Sequence, residues 1–179
     1  MKVAVILVLN DEAQEKINFV KYKMTDKGVP RNGFQVNHIT LADVEIEDSQ
    51  LPQLESVVEI FSSKLTNVNL HLESVGAFVK QKNVIFYSPF LDEKLININA
   101  GLCDLLQSSN IKCNPLYIKN QWQPHLTVGI KIDDNQLIVA FKIMVENNIL
   151  PMDCICDKIQ LLCHDPKPYK ILKSYDLNN

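Results

Sequence analysis

Two short motifs in the sequence pair a histidine with a threonine at the same spacing. They are His38-Ile39-Thr40 and His125-Leu126-Thr127, and about half of the chain separates them. From average residue usage, one such triplet is expected by chance in roughly one chain of this length in five. Two triplets in corresponding places are a stronger signal, because a reactive site needs groups that converge. We therefore treat both pairs as one candidate site.

The chemistry that two imidazoles and two hydroxyls can perform is cleavage of a phosphodiester. Opening a cyclic phosphodiester with water needs a base for the water proton and an acid for the leaving oxygen. The unperturbed pKa of histidine, roughly 6.5, allows either role near neutral pH. The hydroxyls of Thr40 and Thr127 can donate to non-bridging phosphate oxygens and stabilise charge there. This scheme uses no metal ion and no cofactor, and the residues alone do not show which histidine is the acid.

The elements that must position these side chains follow from the spacing of apolar residues. Residues at i and i+2 share one face of a strand, whereas apolar residues at i, i+3 and i+4 mark a helix. The sequence predicts strands near 3–9, 35–41, 67–75, 83–88, 125–132, 155–163 and 169–176. It predicts helices over 11–27, from Ser49 and Pro52 to Leu65, from Asp92 to Leu105, and around 134–147.

This order of elements contains a repeated unit. A strand with the motif, a helix and two strands occur from about residue 35 and again from about residue 125. The pattern predicts two related lobes that share one architecture. No low-complexity segment or linker interrupts the sequence, so we expect residues 1–179 to form a single bilobal domain.

Strand alternation predicts which side chains lie on the open face of each motif strand. In both motif strands, the histidine and the threonine should face the open side of the sheet. The residues expected to face the core are Ile39 and Leu41 in the first strand and Leu126, Val128, Ile130 and Ile132 in the second, with Gly129 on the open face.

The composition is that of an ordinary globular protein, with 46% hydrophobic and 22% charged residues. A net charge of −3 argues against an extended nucleic-acid-binding surface, which needs a basic face. A small nucleotide or an RNA end needs only a local phosphate site. No stretch is apolar enough to span a membrane, and residues 1–9 are better explained as a buried strand than as a signal peptide. We expect a cytoplasmic monomer.

The five cysteines are an odd number without paired CxxC spacing. This usage fits reduced, mostly buried thiols in a cytosolic protein. A metal site formed by Cys154, Cys156, Cys163 and His164 is the alternative, but its spacing fits zinc sites poorly. The sequence therefore predicts no metal.

Four further residues are candidates of lower rank. Arg31, the one arginine in the sequence, precedes the first motif in a Gly/Pro loop and suits bidentate phosphate contact. Trp122 could stack on a base or pack under its strand. His71 is expected to be solvated or hydrogen-bonded, and His164, in a proline-rich turn, is expected at the surface.

The motifs and their surroundings resemble the 2H phosphoesterases, which include the LigT-type 2′-5′ RNA ligases and RNA 2′,3′-cyclic phosphodiesterases. That family carries two His-x-Thr/Ser motifs, each on a strand of a duplicated α+β lobe. The resemblance therefore implies an α+β fold with two pseudo-symmetric lobes, each a small, largely antiparallel sheet backed by helices, and a central cleft. The resemblance extends to segments 122–127, 74–87 and 161–172, so it covers nearly the whole chain. There are two departures: Gly129-Ile130-Lys131 stands where many members keep an arginine, and Cys163 or His164 replaces a small hydroxyl residue of the closing strand.

The resemblance implies that His38 and His125 are the acid–base pair and that Thr40 and Thr127 hold the phosphate. It also implies a metal-independent phosphodiesterase acting on 2′,3′-cyclic phosphates of RNA ends or on small cyclic nucleotides. Reversal into 2′-5′ ligation is expected to be weak. Two alternatives stay open: a nucleotide- or RNA-end-binding module without turnover, and a protein-interaction domain.

Overall fold

The computed structural model describes residues 1–30, 36–79, 83–165 and 168–178. Within these ranges the chain forms seven strands and four α-helices. The strands are β1 (Lys2–Leu9), β2 (His38–Glu45), β3 (Val68–Phe78), β4 (Asn83–Pro89), β5 (Leu126–Ile132), β6 (Met152–Asp165) and β7 (Lys170–Asp176). The helices are α1 (Asp11–Asp26), α2 (Leu51–Ser62), α3 (Glu93–Ser108) and α4 (Asp134–Glu146), and two short 3-10 turns span Asp48–Gln50 and Pro115–Tyr117.

Every helix and strand that the hydrophobic spacing predicts is present, in the predicted order. The helix starts have physical causes that the sequence contains. Asp92 caps α3 by accepting a hydrogen bond from the Leu95 amide, and Asp133 caps α4 through a reciprocal capping box with Gln136. Pro52 lies in the first turn of α2, where a missing amide hydrogen costs nothing.

The strands form one antiparallel sheet in the order β2-β1-β6-β3-β4-β5, with β7 also paired to β6. The α+β prediction is confirmed, and the sheets of the two lobes are joined by β6. The first part of β6 pairs with β3, whereas its later part pairs with β1 and β7. One strand of 14 residues therefore belongs to both halves of the sheet.

The main core lies between one face of this sheet and the helices. It contains the odd-numbered residues of β1, such as Val5 and Leu7, together with apolar residues of all four helices. The even-numbered residues of β1 face the other side of the sheet. There they form a small second cluster, in which Ala4, Ile6, Val8 and Leu162 are partly covered by Val36, Tyr169 and Ile171. Both faces of β1 are therefore buried, which explains why nearly all of its residues are apolar.

A bulge interrupts each motif strand directly after its threonine. The pairing of β2 with β1 slips by one residue at Leu41. The pairing of β5 with β4 slips by one residue at Val128. A one-residue slip reverses the faces that the following residues present, so strict alternation ends at the same place in both copies. In β5 a second slip at Lys131 restores the original faces and keeps Ile132 in the core.

The predicted orientations of Gly129 and Ile130 are wrong for this reason. Gly129 faces the core, where an added Cβ atom would lie 3.1 Å from the Ile85 side chain and 3.4 Å from that of Met24. Ile130 turns to the open face and lines the cleft. The same reversal turns Asp43 of β2 into the cleft, although alternation from Thr40 would send it to the core.

All five cysteines are free. Cys154, Cys156 and Cys163 are buried and Cys103 and Cys113 are partly buried, which confirms the predicted burial. None of the helices in the described part of the chain is long and apolar enough to cross a membrane.

Candidate active site

The cleft of about 270 Å³ between the lobes brings the two motifs together. His38, Thr40, His125 and Thr127 all line it. Strands lie about 4.8 Å apart in a sheet, so the five steps from β2 to β5 would separate the motifs by roughly 24 Å in a flat sheet. Here β2 and β5 contact each other, because the sheet curves and brings its two edges together. The predicted convergence of the four side chains is therefore present.

Both histidines are held by the same hydrogen bond. His38 Nδ1 lies 2.9 Å from the carbonyl oxygen of Val36, and His125 Nδ1 lies 2.8 Å from that of Gln123. In each copy the carbonyl belongs to the residue two positions before the histidine. A carbonyl only accepts, so Nδ1 carries the hydrogen and Nε2 is the nitrogen whose lone pair can take up a proton. The two motifs thus present Nε2 in matching fashion.

His38 is the more enclosed of the two, with 9% of its surface exposed. Burial disfavours the imidazolium and lowers the pKa of His38 to about 4. The hydrogen bond to Val36 opposes this shift, while the charges of Lys21 and His125 add to it. His38 is consequently neutral at pH 7, with an Nε2 lone pair able to accept a proton.

His125 lies between two aromatic rings. Its ring centroid is 5.0 Å from that of Phe78, in an edge-on arrangement, and 5.1 Å from that of Phe86. Burial lowers the pKa of His125 from its usual value, and the hydrogen bond to Gln123 opposes the change. The rings fix the imidazole laterally while the carbonyl fixes its rotation.

The position of Phe86 depends on a glycine in the neighbouring strand. Gly76 pairs with Phe86 across β3 and β4, and a Cβ atom at Gly76 would overlap the Phe86 ring. The phenylalanine therefore lies flat over the glycine, in contact with His125. Gly76 supports the position of His125 without lining the cleft.

Asp43 and His164 form a polar pair in the same cleft, and the sequence patterns do not predict it. His164 Nε2 lies 2.7 Å from Asp43 Oδ1, and Asn114 Nδ2 donates to Asp43 Oδ2 at 3.0 Å. Burial raises the pKa of Asp43, but the hydrogen bonds from His164 and Asn114 outweigh that effect and hold it below its usual value. The prediction that His164 lies at the surface is wrong, because β6 extends to Asp165 and carries His164 on the cleft side of the sheet.

A signal for Asp43 is nevertheless present in the sequence. The buried apolar residues of the first motif strand are odd-numbered at Ile39 and Leu41 but even-numbered at Ala42 and Val44. Such a change of phase indicates a bulge. After it, Asp43 is the residue that faces the cleft.

The candidates of lower rank have different outcomes. Trp122 is partly buried, packs against the main core and donates from Nε1 to the carbonyl oxygen of Thr40 at 2.9 Å, as the packing alternative expects. Stacking of Trp122 on a base stays a prediction. His71 is exposed and lies 2.7 Å from Asp153, as expected of a hydrogen-bonded histidine. Arg31 lies outside the described residues.

The alternative metal site does not assemble. Cys154 and Cys156 belong to the main core, while His164 is engaged by Asp43. In the ranges that the structure describes, no group of three or more His, Cys, Asp or Glu side chains is arranged to hold a metal ion. The arrangement offers acid–base chemistry by imidazoles and hydrogen bonding by threonines.

Comparison with known proteins gives a family match and a fold match for this chain. The family model described as the 2′-5′ RNA ligase superfamily matches residues 10–168. No curated protein sequence matches the chain.

Solved structures match over nearly the whole chain. E. coli LigT complexed with 3′-AMP superposes with a TM-score of 0.68 at 14% identity, covering 99% of this chain and 98% of LigT. The TT0787 protein of Thermus thermophilus gives a TM-score of 0.68 at 17% identity, covering 100% and 99%. Kluyveromyces marxianus Usb1 gives 0.54 at 10% identity, covering 96% and 97%. At these identities the structural matches establish a shared fold.

Proposed function

The chain belongs to the 2′-5′ RNA ligase superfamily, and we propose that it is a cyclic phosphodiesterase acting on 2′,3′-cyclic phosphates of RNA ends or on small cyclic nucleotides. The observation that carries this proposal is the convergence of His38, Thr40, His125 and Thr127 in one cleft. Each imidazole is oriented there by a backbone carbonyl so that Nε2 is the nitrogen that exchanges protons. Binding alone would not need two imidazoles prepared in this way.

In the proposed reaction, water attacks phosphorus while His38 Nε2 accepts the water proton. His125 Nε2 donates a proton to the bridging oxygen as its bond to phosphorus breaks. The product is a phosphate monoester beside a free ribose hydroxyl, and the two histidines have exchanged protonation states. Thr40 and Thr127 hold the non-bridging oxygens, where charge builds in the transition state.

The assignment of roles rests on the different burial of the two histidines. His38, whose pKa burial lowers to about 4, is the neutral base. His125 is less enclosed and is partly exposed in the free cleft. The negative charge of a bound phosphate favours its imidazolium form, which makes it the acid.

A structural relative supports the choice of substrate class. E. coli LigT has been crystallised with 3′-AMP, and a nucleoside 3′-phosphate is one of the two monoesters that opening of a 2′,3′-cyclic phosphate can release. Ligation to a 2′-5′ linkage is the same chemistry in reverse, with a ribose hydroxyl replacing water. We expect it to be weak, since water competes at a cleft open to solvent.

The experiment is a rate assay on a panel of nucleoside 2′,3′-cyclic phosphates. His38→Ala and His125→Ala should each lose about a hundredfold or more in kcat/KM, because each removes one proton-transfer group. His71→Ala, which removes the exposed histidine bonded to Asp153, is the control and should retain wild-type activity. A metal chelator should not change the rate, since the imidazoles supply both acid and base.

Hydrolysis by either cleft variant at the wild-type rate would refute the mechanism. Tight nucleotide binding by the wild type with no hydrolysis of any member of the panel would instead favour the binding module.

A further inference from the structure

We propose that His164, oriented by Asp43, recognises the nucleobase of the substrate, so that the end of the cleft lined by this pair is the base-binding end. This inference rests on the proposed function and specifies the substrate group that the reaction itself does not touch. It is based on a histidine–carboxylate pair that lines the same cleft as the four motif residues but is separate from them.

The pair lies away from the scissile phosphate along the strand. Asp43 of β2 pairs with Ala4 of β1, whereas Thr40 pairs with Ile6. The two pairs are therefore two residues apart along β1. Two residues of strand span about 7 Å. A phosphate held by Thr40 would therefore leave His164 in reach of the part of the nucleotide attached beyond it.

Asp43 fixes the ring of His164 and determines which nitrogen is presented. The ionised carboxylate only accepts hydrogen bonds, so Nε2, at 2.7 Å from Oδ1, carries a hydrogen. The Nδ1 atom is then the ring nitrogen that can meet a ligand. The second carboxylate oxygen is satisfied by Asn114, which makes Asp43 a positioning residue.

The surrounding side chains suit a flat, neutral group. Tyr117, Leu162 and Tyr169 line this end of the cleft together with the pair, and tyrosine rings provide stacking faces for bases. A second phosphate fits less well, because it would meet the negative charge of Asp43 beside His164. Polar recognition at the edge of a ring, combined with stacking, is the usual way of reading an unpaired base.

The test compares substrates that differ only in the base. The wild type and His164→Gln are assayed on adenosine, guanosine, cytidine and uridine 2′,3′-cyclic phosphates and on an abasic ribose 2′,3′-cyclic phosphate. For each protein we take kcat/KM on the preferred nucleotide divided by kcat/KM on the abasic substrate. We expect this ratio to fall about tenfold in His164→Gln, because one hydrogen bond to a charged or polarised group contributes about that much to binding. Asp43→Asn should lower the same ratio in the same direction.

The exposed pair His71–Asp153, which has the same 2.7 Å separation, provides a matched control. His71→Gln should leave both the ratio and the absolute rates unchanged. Thermal unfolding of each variant identifies any loss that comes from instability.

Three results would overturn the inference. An unchanged ratio in His164→Gln would exclude base recognition, whether or not the absolute rates fall. A larger loss on nucleotides carrying an added 5′-phosphate than on those with a 5′-hydroxyl would assign the pair to a phosphate. Loss of all activity in His164→Gln on every substrate would place it in the reaction itself.

Failure of the proposed function can be separated from failure of this inference. If the wild type hydrolyses none of these substrates, calorimetric binding of the four nucleoside 3′-monophosphates provides the readout. His164→Gln should then reduce the differences in affinity among the bases. Equal differences in both proteins would reject the inference independently of turnover.

Discussion

The two histidine–threonine strands share one backbone design but differ in what surrounds the histidine. Both copies anchor Nδ1 on the carbonyl two residues before, and both bulge directly after the threonine. His38, however, pairs with Val8, a member of the small apolar cluster on the open face, and is nearly buried. His125 is held by Phe78 and Phe86 and stays partly exposed.

This difference explains how a duplicated motif can divide two roles. The hydrogen bond selects the same tautomer in both copies, so it does not distinguish acid from base. Burial does, because it disfavours the charged form of the more enclosed ring. The residue two positions after each bulge differs as well: Asp43 lines the cleft in the first copy and Ile130 in the second, so the first lobe has a polar side chain where the second has an apolar one.

The largest effect should come from changing the leaving group. A cyclic phosphate whose departing bridging oxygen is replaced by sulfur needs no acid, because a thiolate leaves without a proton. His125→Ala should lose about a hundredfold or more on the oxygen substrate but less than about tenfold on the sulfur substrate. His38→Ala should lose about a hundredfold on both. The opposite pattern, measured as kcat/KM, would exchange the two roles.

The pH dependence should be the next largest effect. The base must be deprotonated, so kcat/KM rises through the His38 pKa of about 4. The acid must be protonated, so kcat/KM falls about tenfold per pH unit above the His125 pKa, which burial places below its usual value. The maximum should therefore lie between about pH 4 and pH 6.5. A maximum above pH 7 would contradict the burial argument for His125.

Stability should also depend on the enclosure of His38. Its folded pKa is about 4, below the value of roughly 6.5 in the unfolded chain. As pH falls between these values, only the unfolded state binds the proton, so the folded state loses stability by up to about 3 kcal/mol. Urea unfolding at pH 7 and pH 4.5 should show a smaller loss in His38→Gln than in the wild type. Equal losses would mean that His38 titrates normally in the folded state.

The support of His125 by Phe86 should give the smallest effect. Gly76→Ala would push a Cβ atom into the Phe86 ring and should cost about 1–3 kcal/mol of stability, with several-fold lower activity. Adding Phe86→Leu should recover part of the stability by removing the overlap. Gly101→Ala in α3 is the control, since its Cβ would meet only Phe61 at 3.8 Å. Equal thermal unfolding of the two alanine variants would contradict the role of Gly76.

The elements and the motif pair could be predicted because each is a local pattern. Helical spacing and capping residues determine α3 and α4, and alternation determines the start of each motif strand. Alternation fails after Thr40 and Thr127, where a single extra residue reverses the faces. The phase change from Leu41 to Ala42 contains that information, whereas the second strand gives no comparable signal because Gly129 has no side chain.

The unequal burial of the histidines could not be predicted in this way. His38 lines the cleft with Ala4 of β1, Leu162 of β6 and Tyr169 near the far end of the chain. Such contacts depend on the order of strands in the sheet, which no local pattern specifies. For the same reason the local pattern places His164 in a surface turn, although β6 extends to Asp165.

The hydrogen bond from Trp122 to the Thr40 carbonyl has a consequence beyond the cleft. An edge strand displays unpaired carbonyl and amide groups that can recruit a strand from another chain and start aggregation. On β2, Asn99 donates to the Leu41 carbonyl and the Asn114 amide donates to the Asp43 carbonyl, continuing the row that Trp122 begins. The β2 edge is thereby occupied by its own chain, which should protect the protein from edge-to-edge association while leaving its histidine accessible to a ligand.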